Sequence, residues 1–308
     1  VADLAKALTV MASIGFDPKD NITALIPSTS VGVDYSKSLH GGSLKGVRFG
    51  LLTGLFNRTA GNETTPVNDV MDAMVQTLTK AGATVVTVNS TVYNSTAISA
   101  ALDVQAFEYR QLMDAYLQNP TTGGSHPSTL TQLYLNSSGK FLVIPSQYAF
   151  VNKSLMSSTD DPNYAVAKLG ITNLSITVSS TFASSKLDAF IYPEQQNLVV
   201  KIGSPRQMGR NGILAAVTGS PVVVVPAGFS SSSADAPIGV PIGMEIMGLP
   251  WSETKLLNIA AAIEKVAPIR KPPASASMSV LPLPSTVPII VPNKGNIPAA
   301  YPVGKLSP

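Results

Sequence analysis

The chain has no cysteine, one tryptophan and two histidines in 308 residues. Without cysteine there is no disulfide framework and no thiolate to act as nucleophile or ligand. His40 and His126 stand far apart in Gly/Ser-rich stretches, so both read as surface-loop residues and no metal site is expected. Charged residues make up only 13%, and the net formal charge is +3. No Lys/Arg cluster or aromatic-interleaved basic stripe occurs, so no nucleic-acid partner is expected despite a pI near 9.0. The longest apolar stretch, Ile213 to Phe229, is cut by Gly219, Pro221 and Pro226, which argues against a membrane span.

The common catalytic signatures are missing too. There is no G-x-S-x-G elbow, no phosphate-binding G-x-x-x-x-G-K-S/T, no H-E-x-x-H and no G-x-G-x-x-G after a strand. Serine and lysine are neighbours at Ser36-Lys37-Ser38, Lys153-Ser154 and Ser184-Ser185-Lys186. Adjacent helical positions do not face each other, and a working pair needs a neutral, buried lysine and oriented N–H donors. These positions read as solvated surface. Asp160-Asp161 precede Pro162 as a helix-start turn, with no catalytic role.

What is present is a regular α/β pattern, with 44% hydrophobic residues and length enough for a large core. Val1 to Ile14 has helical spacing, with Val1, Leu4, Ala5, Leu8, Met11 and Ala12 expected on one face and Gly15 ending it. Val47–Leu52 reads as a strand, Pro66–Lys80 as a helix with Val67, Val70, Met71, Met74 and Leu78 inward, and Ala83–Val88 as a second strand. That is a βαβ unit, which implies parallel strands. Ala97 to Gln118 reads as one helix stopped by Asn119-Pro120. The stretch from Gly123 to Ser158 suggests short helical pieces, and Asp160 to Leu187 is ambiguous from its residues, because Ile171, Leu174, Ile176 and Val178 alternate partly like a strand.

The strongest strands come late. Val222-Val223-Val224-Val225 is β-branched throughout and closed by Pro226, which suits a strand covered on both faces in a sheet interior. A helical segment, Asn211 to Thr218, precedes it and breaks at Gly219-Ser220-Pro221. Ile242 to Met247 reads as a further strand. Ser252 is then the expected N-cap of a helix with Glu253 at its positive end and Leu256, Ile259, Ile263 and Val266 on its apolar face. From Lys271 onward nine of 38 residues are proline, so residues 271–308 read as an extended tail wrapping the surface, and residues 1–270 as the folded domain.

The segments LDAFIYP, GRNGILAAVTGSPVVVVPAGF, APIGVPIGMEIMGLPWSE and IEKVAPIRKPP, in that order, resemble the C-terminal half of the amidase signature family, fungal amidases in particular. The opening VADLAKALTVMASIGFDPKD is similar to the helix and turn that follow the nucleophile segment there. The resemblance implies a mixed, largely parallel central sheet flanked by helices, and a helix leading into LDAFIYP. It also implies a serine-dependent amidase that hydrolyses carboxylic amide C–N bonds without a cofactor. The family's lysine, bridging serine and nucleophilic serine would lie upstream of Val1, and no stretch here matches the loop that carries the serines. No catalytic residue is therefore assigned. The loop after LDAFIYP borders the family's active site, so Tyr192, Pro193, Glu194 and Gln195 are candidates for the substrate-pocket wall, followed by Arg210 and Asn211, for which a helix start held by local hydrogen bonds is the competing role.

Asn21, Asn57, Asn62, Asn89, Asn94, Asn136, Asn152 and Asn173 each begin an Asn-x-Ser/Thr triplet. So many acceptor sites favour a glycosylated protein, secreted or vacuolar. The opening VADLAKAL carries Asp3 and Lys6 and no apolar run, so it does not read as a signal peptide; with no initiating methionine it fits a mature end, a proteolytic product or a fragment. The expected partners are the upstream half of the same precursor, if cleaved, and a small amide substrate. The alternative is a non-catalytic secreted glycoprotein that keeps an amidase-derived fold for binding or structure.

Overall fold

The computed structural model describes residues 1–37, 39, 42–121, 123–135, 145–201, 204 and 207–272. Ser38, His40, Asn136 and the proline-rich tail from Pro273 lie outside the described residues. The chain divides into two compact units, one built from Val1–Ala101, Ile171–Val199 and Met208–Arg270, the other from Leu102–Gly170 and Val200–Gln207.

The first unit is organised on a five-stranded mixed sheet. Its strands are β1 (Arg48–Leu52), β2 (Thr84–Val88), β3 (Ala189–Pro193), β4 (Val222–Phe229) and β5 (Pro241–Met247), in the order β2-β1-β3-β5-β4. β1 runs parallel to β2 and β3, while β5 runs antiparallel to both β3 and β4. The β1–α2–β2 unit forms as its sequence requires, with α2 spanning Thr65–Lys80 and its proline in the first turn. Val67, Met71, Met74 and Leu78, spaced by four, three and four residues, are buried on one side of α2. With Leu256, Ile259, Ala260 and Ile263 of α9 (Glu253–Val266) they cover the sheet face that presents Phe49, Ile191, Val223, Val225, Met244 and Ile246. Gly228 of β4 lets α2 close on the sheet, since a Cβ there would stand 2.7 Å from Val70 Cγ1. On the opposite face Phe190 meets the edges of Tyr93 and Phe182, at centroid distances of 5.5 and 4.5 Å. Phe182 belongs to α7 (Pro162–Ser185), so the ambiguous stretch is helical, as the family resemblance implies.

In the second unit, α4 (Gln105–Leu117), α5 (Leu130–Leu135) and α6 (Pro145–Leu155) are held by specific polar ties. Asp114 accepts from Leu130 N–H at 2.7 Å, and the Arg110 guanidinium donates to Leu155 O at 2.9 Å. Tyr164 donates to Glu108 at 2.8 Å, which raises the Tyr164 phenol above its ordinary value.

Several expectations are corrected. Among the described residues β4 is an edge strand: Val223 and Val225 are buried but Val224 is 52% exposed, so four consecutive valines do not mark a sheet interior. The expected single helix from Ala97 to Gln118 is two, α3 (Ser95–Leu102) and α4, because Asp103 turns the chain and its carboxylate accepts from Gln105 N–H at 2.9 Å. In α1 (Ala2–Ala12), Ala5 is buried while Leu4 and Met11 are turned outward, so the apolar residues do not share one face. Ser252 occupies the N-cap of α9 without capping it; its hydroxyl donates back to Leu249 O at 2.6 Å. Val266, at the end of α9, is 42% exposed.

Candidate functional site

β3 is the hub from which the site is built. All five of its residues are buried, and it pairs with β1 on one side and β5 on the other. Where the strand ends at Pro193, the chain stays in register for three more residues: Glu194 N–H donates to Gly243 O at 3.0 Å, Asn211 N–H to Glu194 O at 3.1 Å and Gln196 N–H to Gly209 O at 2.8 Å. Gln195 and Arg210 face each other in the resulting antiparallel bridge. The structure thus brings all six wall candidates together, although 16 sequence positions separate Gln195 from the residue after Arg210.

Their roles differ. Tyr192 is fully buried, its hydroxyl 3.6 Å from Met247 Sδ, and burial together with the neighbouring Glu245 carboxylate pushes its phenol well above the ordinary value. Asn211 is also fully buried. Its Nδ2 donates to Leu55 O at 2.7 Å and Pro193 O at 2.8 Å, and its Oδ1 accepts from Gln196 Nε2 at 3.2 Å. Asn211 is therefore a clamp joining the end of β3, the turn after β1 and the start of α8 (Ile213–Thr218). Those partners are remote in sequence, where sequence reasoning expected local ones. Arg210 next to it is exposed. Glu194 and Gln195 line a cleft of about 50 Å³ with Val67, Asn197, Leu198 and Gly243. That is far below the roughly 300 Å³ of a small-molecule site, so the cleft does not by itself hold a substrate. A larger hollow, about 520 Å³, lies at Gly54, Asn89, Tyr93, Asn94 and Ala97, and its lining residues include no carboxylate, imidazole, lysine or arginine.

Glu245 escaped the sequence reading. It sits on β5 opposite both Tyr192 and Val224, is 6% exposed, and its Oε2 is buried without a hydrogen-bond partner. Burial raises its carboxyl above the ordinary range; the Tyr192 hydroxyl pulls the other way, and the Glu194 charge adds to the rise. The signal available was a single acid in the otherwise apolar strand PIGMEIM. Gln196, which donates to both Ser95 and Asn211 at 3.2 Å, was missed because nothing in its surroundings distinguishes it.

None of the described Ser–Lys neighbours forms a working pair. Ser154 is fully buried, contrary to the expected solvated position, and donates to Phe150 O at 2.9 Å as a helical hydroxyl does. Ser184 donates to Thr181 O at 3.3 Å, and Lys37 lies 3.3 Å from Asp34. His126 is an exposed loop residue. Among the described residues no group of three His, Cys, Asp or Glu could hold a metal ion, and no helix is long and apolar enough to cross a membrane.

This fold is that of the amidase signature enzymes. The peptide amidase of Stenotrophomonas maltophilia superposes with a TM-score of 0.70 at 26% identity, covering 88% of this chain and 53% of that enzyme. The Amidase family model matches residues 1–257, and the chain belongs to that family. A probable amidase of Arabidopsis thaliana is 25% identical over 270 residues, which are 85% of this chain and 46% of the relative. A fatty acid amide hydrolase of the same plant is 44% identical over 63 residues, 20% of this chain and 9% of the relative. The chain spans about half the length of the peptide amidase and of the probable plant amidase.

Proposed function

We propose that this chain is the C-terminal portion of a serine-dependent amidase, supplying one wall of the pocket in which a carboxylic amide is cleaved. The observation that carries this reading is the family match over residues 1–257 on a chain that spans only about half of its relatives. In the mechanism the family resemblance implies, a serine attacks the amide carbonyl and a neutral lysine takes its proton through a second serine. The amine leaves, and water then releases the acid from the acyl-enzyme. Those three groups belong to an upstream half that binds this chain. Tyr192, Pro193, Glu194, Gln195 and Arg210 face or support the substrate, with Asn211 holding the wall in shape.

The 308-residue chain alone is expected to show no amide or ester hydrolysis above background and no labelling by a serine-directed fluorophosphonate. Together with the upstream half, labelling and hydrolysis should both appear. Stoichiometric labelling of a serine within the isolated chain would overturn the assignment.

We further propose that the protein is a secreted or vacuolar glycoprotein. Asn21, Asn62, Asn89, Asn94 and Asn173 are exposed, while Asn57 and Asn152 are half-buried. Asn62 and Asn89 lie in loops and are the expected first acceptors, whereas Asn94 caps α3 by accepting from Ala97 N–H at 2.9 Å. Intact mass of protein from its native source, before and after endoglycosidase, tests this; an unchanged mass would refute it.

A further inference from the structure

Asparagine is a thermolabile side chain, because its carbonyl carbon can be attacked by the backbone nitrogen of the residue that follows. A following glycine has no Cβ to obstruct that approach. Asn211 is the only asparagine in the chain followed by glycine. It is also the clamp on which the end of β3 depends, so the most reactive local sequence and a buried structural bond fall on one residue.

In the folded chain the reaction is blocked. Asn211 is fully buried, and Nδ2, the nitrogen that would leave, donates to Leu55 O at 2.7 Å and Pro193 O at 2.8 Å. Oδ1 accepts from Gln196 Nε2, and the backbone N–H of Asn211 donates to Glu194 O. The amide is thus held from both of its ends. Turning its carbon toward Gly212 N would break these bonds in a site closed to water.

We infer that Asn211–Gly212 is a modification site, closed in the fold and opened by unfolding, at which conversion of the asparagine to aspartate or isoaspartate makes unfolding irreversible. Once the clamp is open, Gly212 N attacks Asn211 Cγ and closes a cyclic imide. The bond from Cγ to Nδ2 breaks, the proton of Gly212 N passes through solvent to the departing nitrogen, and ammonia leaves. Water then adds to one imide carbonyl and breaks its bond to nitrogen, giving aspartate when the Cγ carbonyl opens and isoaspartate when the main-chain carbonyl does. Neither product can close the clamp again. An ionised carboxylate only accepts, so Leu55 O and Pro193 O lose their donor and face a further acceptor. Isoaspartate also adds a methylene to the main chain where α8 begins.

The test holds the 308-residue chain for graded times in native buffer and in guanidinium chloride at one mildly alkaline pH, with peptide mapping by mass spectrometry reading conversion at Asn211. Conversion should run at least on the order of 10-fold faster in denaturant, since in the fold it waits on local opening. After dilution, the fraction that refolds should fall with the same time course as conversion. Gly212→Ala keeps the clamp. Gly212 has φ −60° and ψ −9°, which suit alanine, and the added Cβ would stand 3.7 Å from Glu245 Oε1, an ordinary contact. This variant should slow conversion in denaturant on the order of 10-fold, a barrier increase of about 1.4 kcal/mol, and prolong refolding competence to match. Asn211→Asp, made directly, should melt below the wild type with no incubation at all.

Equal conversion in the two buffers would show that the fold does not close the site. An Asn211→Asp chain that melts with the wild type, or conversion that leaves refolding intact, would show that the product fits the fold. A wild-type chain that cannot refold even before incubation, or a Gly212→Ala chain that loses refolding at the wild-type rate, would give irreversibility another cause. Each of these results would overturn the inference.

Discussion

β3 and β4 are both apolar strands of the same sheet, and they have opposite fates. In β3 every residue of Ala189–Pro193 is buried; in β4, four successive valines leave one of their number 52% exposed. Hydrophobicity would rank β4 as the deeper strand. Position decides otherwise, since β3 lies between β1 and β5 while β4, among the described residues, has a neighbour on one side only. An apolar edge strand is a liability that proteins manage by covering or blunting it. The two strands therefore differ through their places in the sheet and not through their hydrophobicity.

The sharpest contrast is expected from truncating the hub. Phe190 is fully buried and touches two aromatic rings, so Phe190→Ala should cost about 3–5 kcal/mol of the isolated chain's stability, measured by chemical denaturation. A loss under about 1 kcal/mol would mean that β3 is not the centre of the fold. Next in size is the clamp at its end. Asn211→Ala strands Leu55 O and Pro193 O without their donor, and a loss of about 2–3 kcal/mol is expected because two buried acceptors are left unpaired at once.

These effects also mark what was legible in the sequence. The βαβ unit, α2 with its inward residues and the strand order of events from LDAFIYP onward could be read because spacing and turn residues are local properties. The two-sided character of α1 and the edge position of β4 could not, because both depend on which element ends up next to which. In the candidate site, Glu194 and Gln195 were reached through family resemblance alone. The clamp formed by Asn211 depends on Leu55, 156 residues away, and no local pattern announces such a bond. Glu245 was visible as an acid within an apolar strand, but its missing partner is a property of the packed state only.

A smaller effect tests the face that β3 and β4 share through β5. Glu245 has a folded-state pKa raised by burial above its ordinary 4.5, so the folded chain holds that proton more tightly than the unfolded chain does. Stability from this group is therefore greatest below pH 4.5 and declines as pH rises through the raised folded value, then levels off. Glu245→Gln should remove that decline and leave the chain at neutral pH as stable as wild type or more so, as read by urea denaturation across pH. A variant with the wild-type slope would show that another group titrates in that window.

The smallest effect is expected within β4 itself, between two adjacent valines of identical chemistry. Val223 points into the core with 7% exposure and Val224 points out with 52%. Valine to threonine keeps shape and β-branching and changes one methyl to a hydroxyl, so the cost depends on whether that hydroxyl reaches water or a partner. Val223→Thr should therefore lose about 1–3 kcal/mol, and Val224→Thr should fall within about 0.5 kcal/mol of wild type. The comparison becomes more informative when repeated with the upstream half bound. If that half also covers the outer side of β4, Val224→Thr should become costly in the complex while remaining silent in the isolated chain. Equal costs for the two valines in the isolated chain would mean that its own residues already cover both sides of β4.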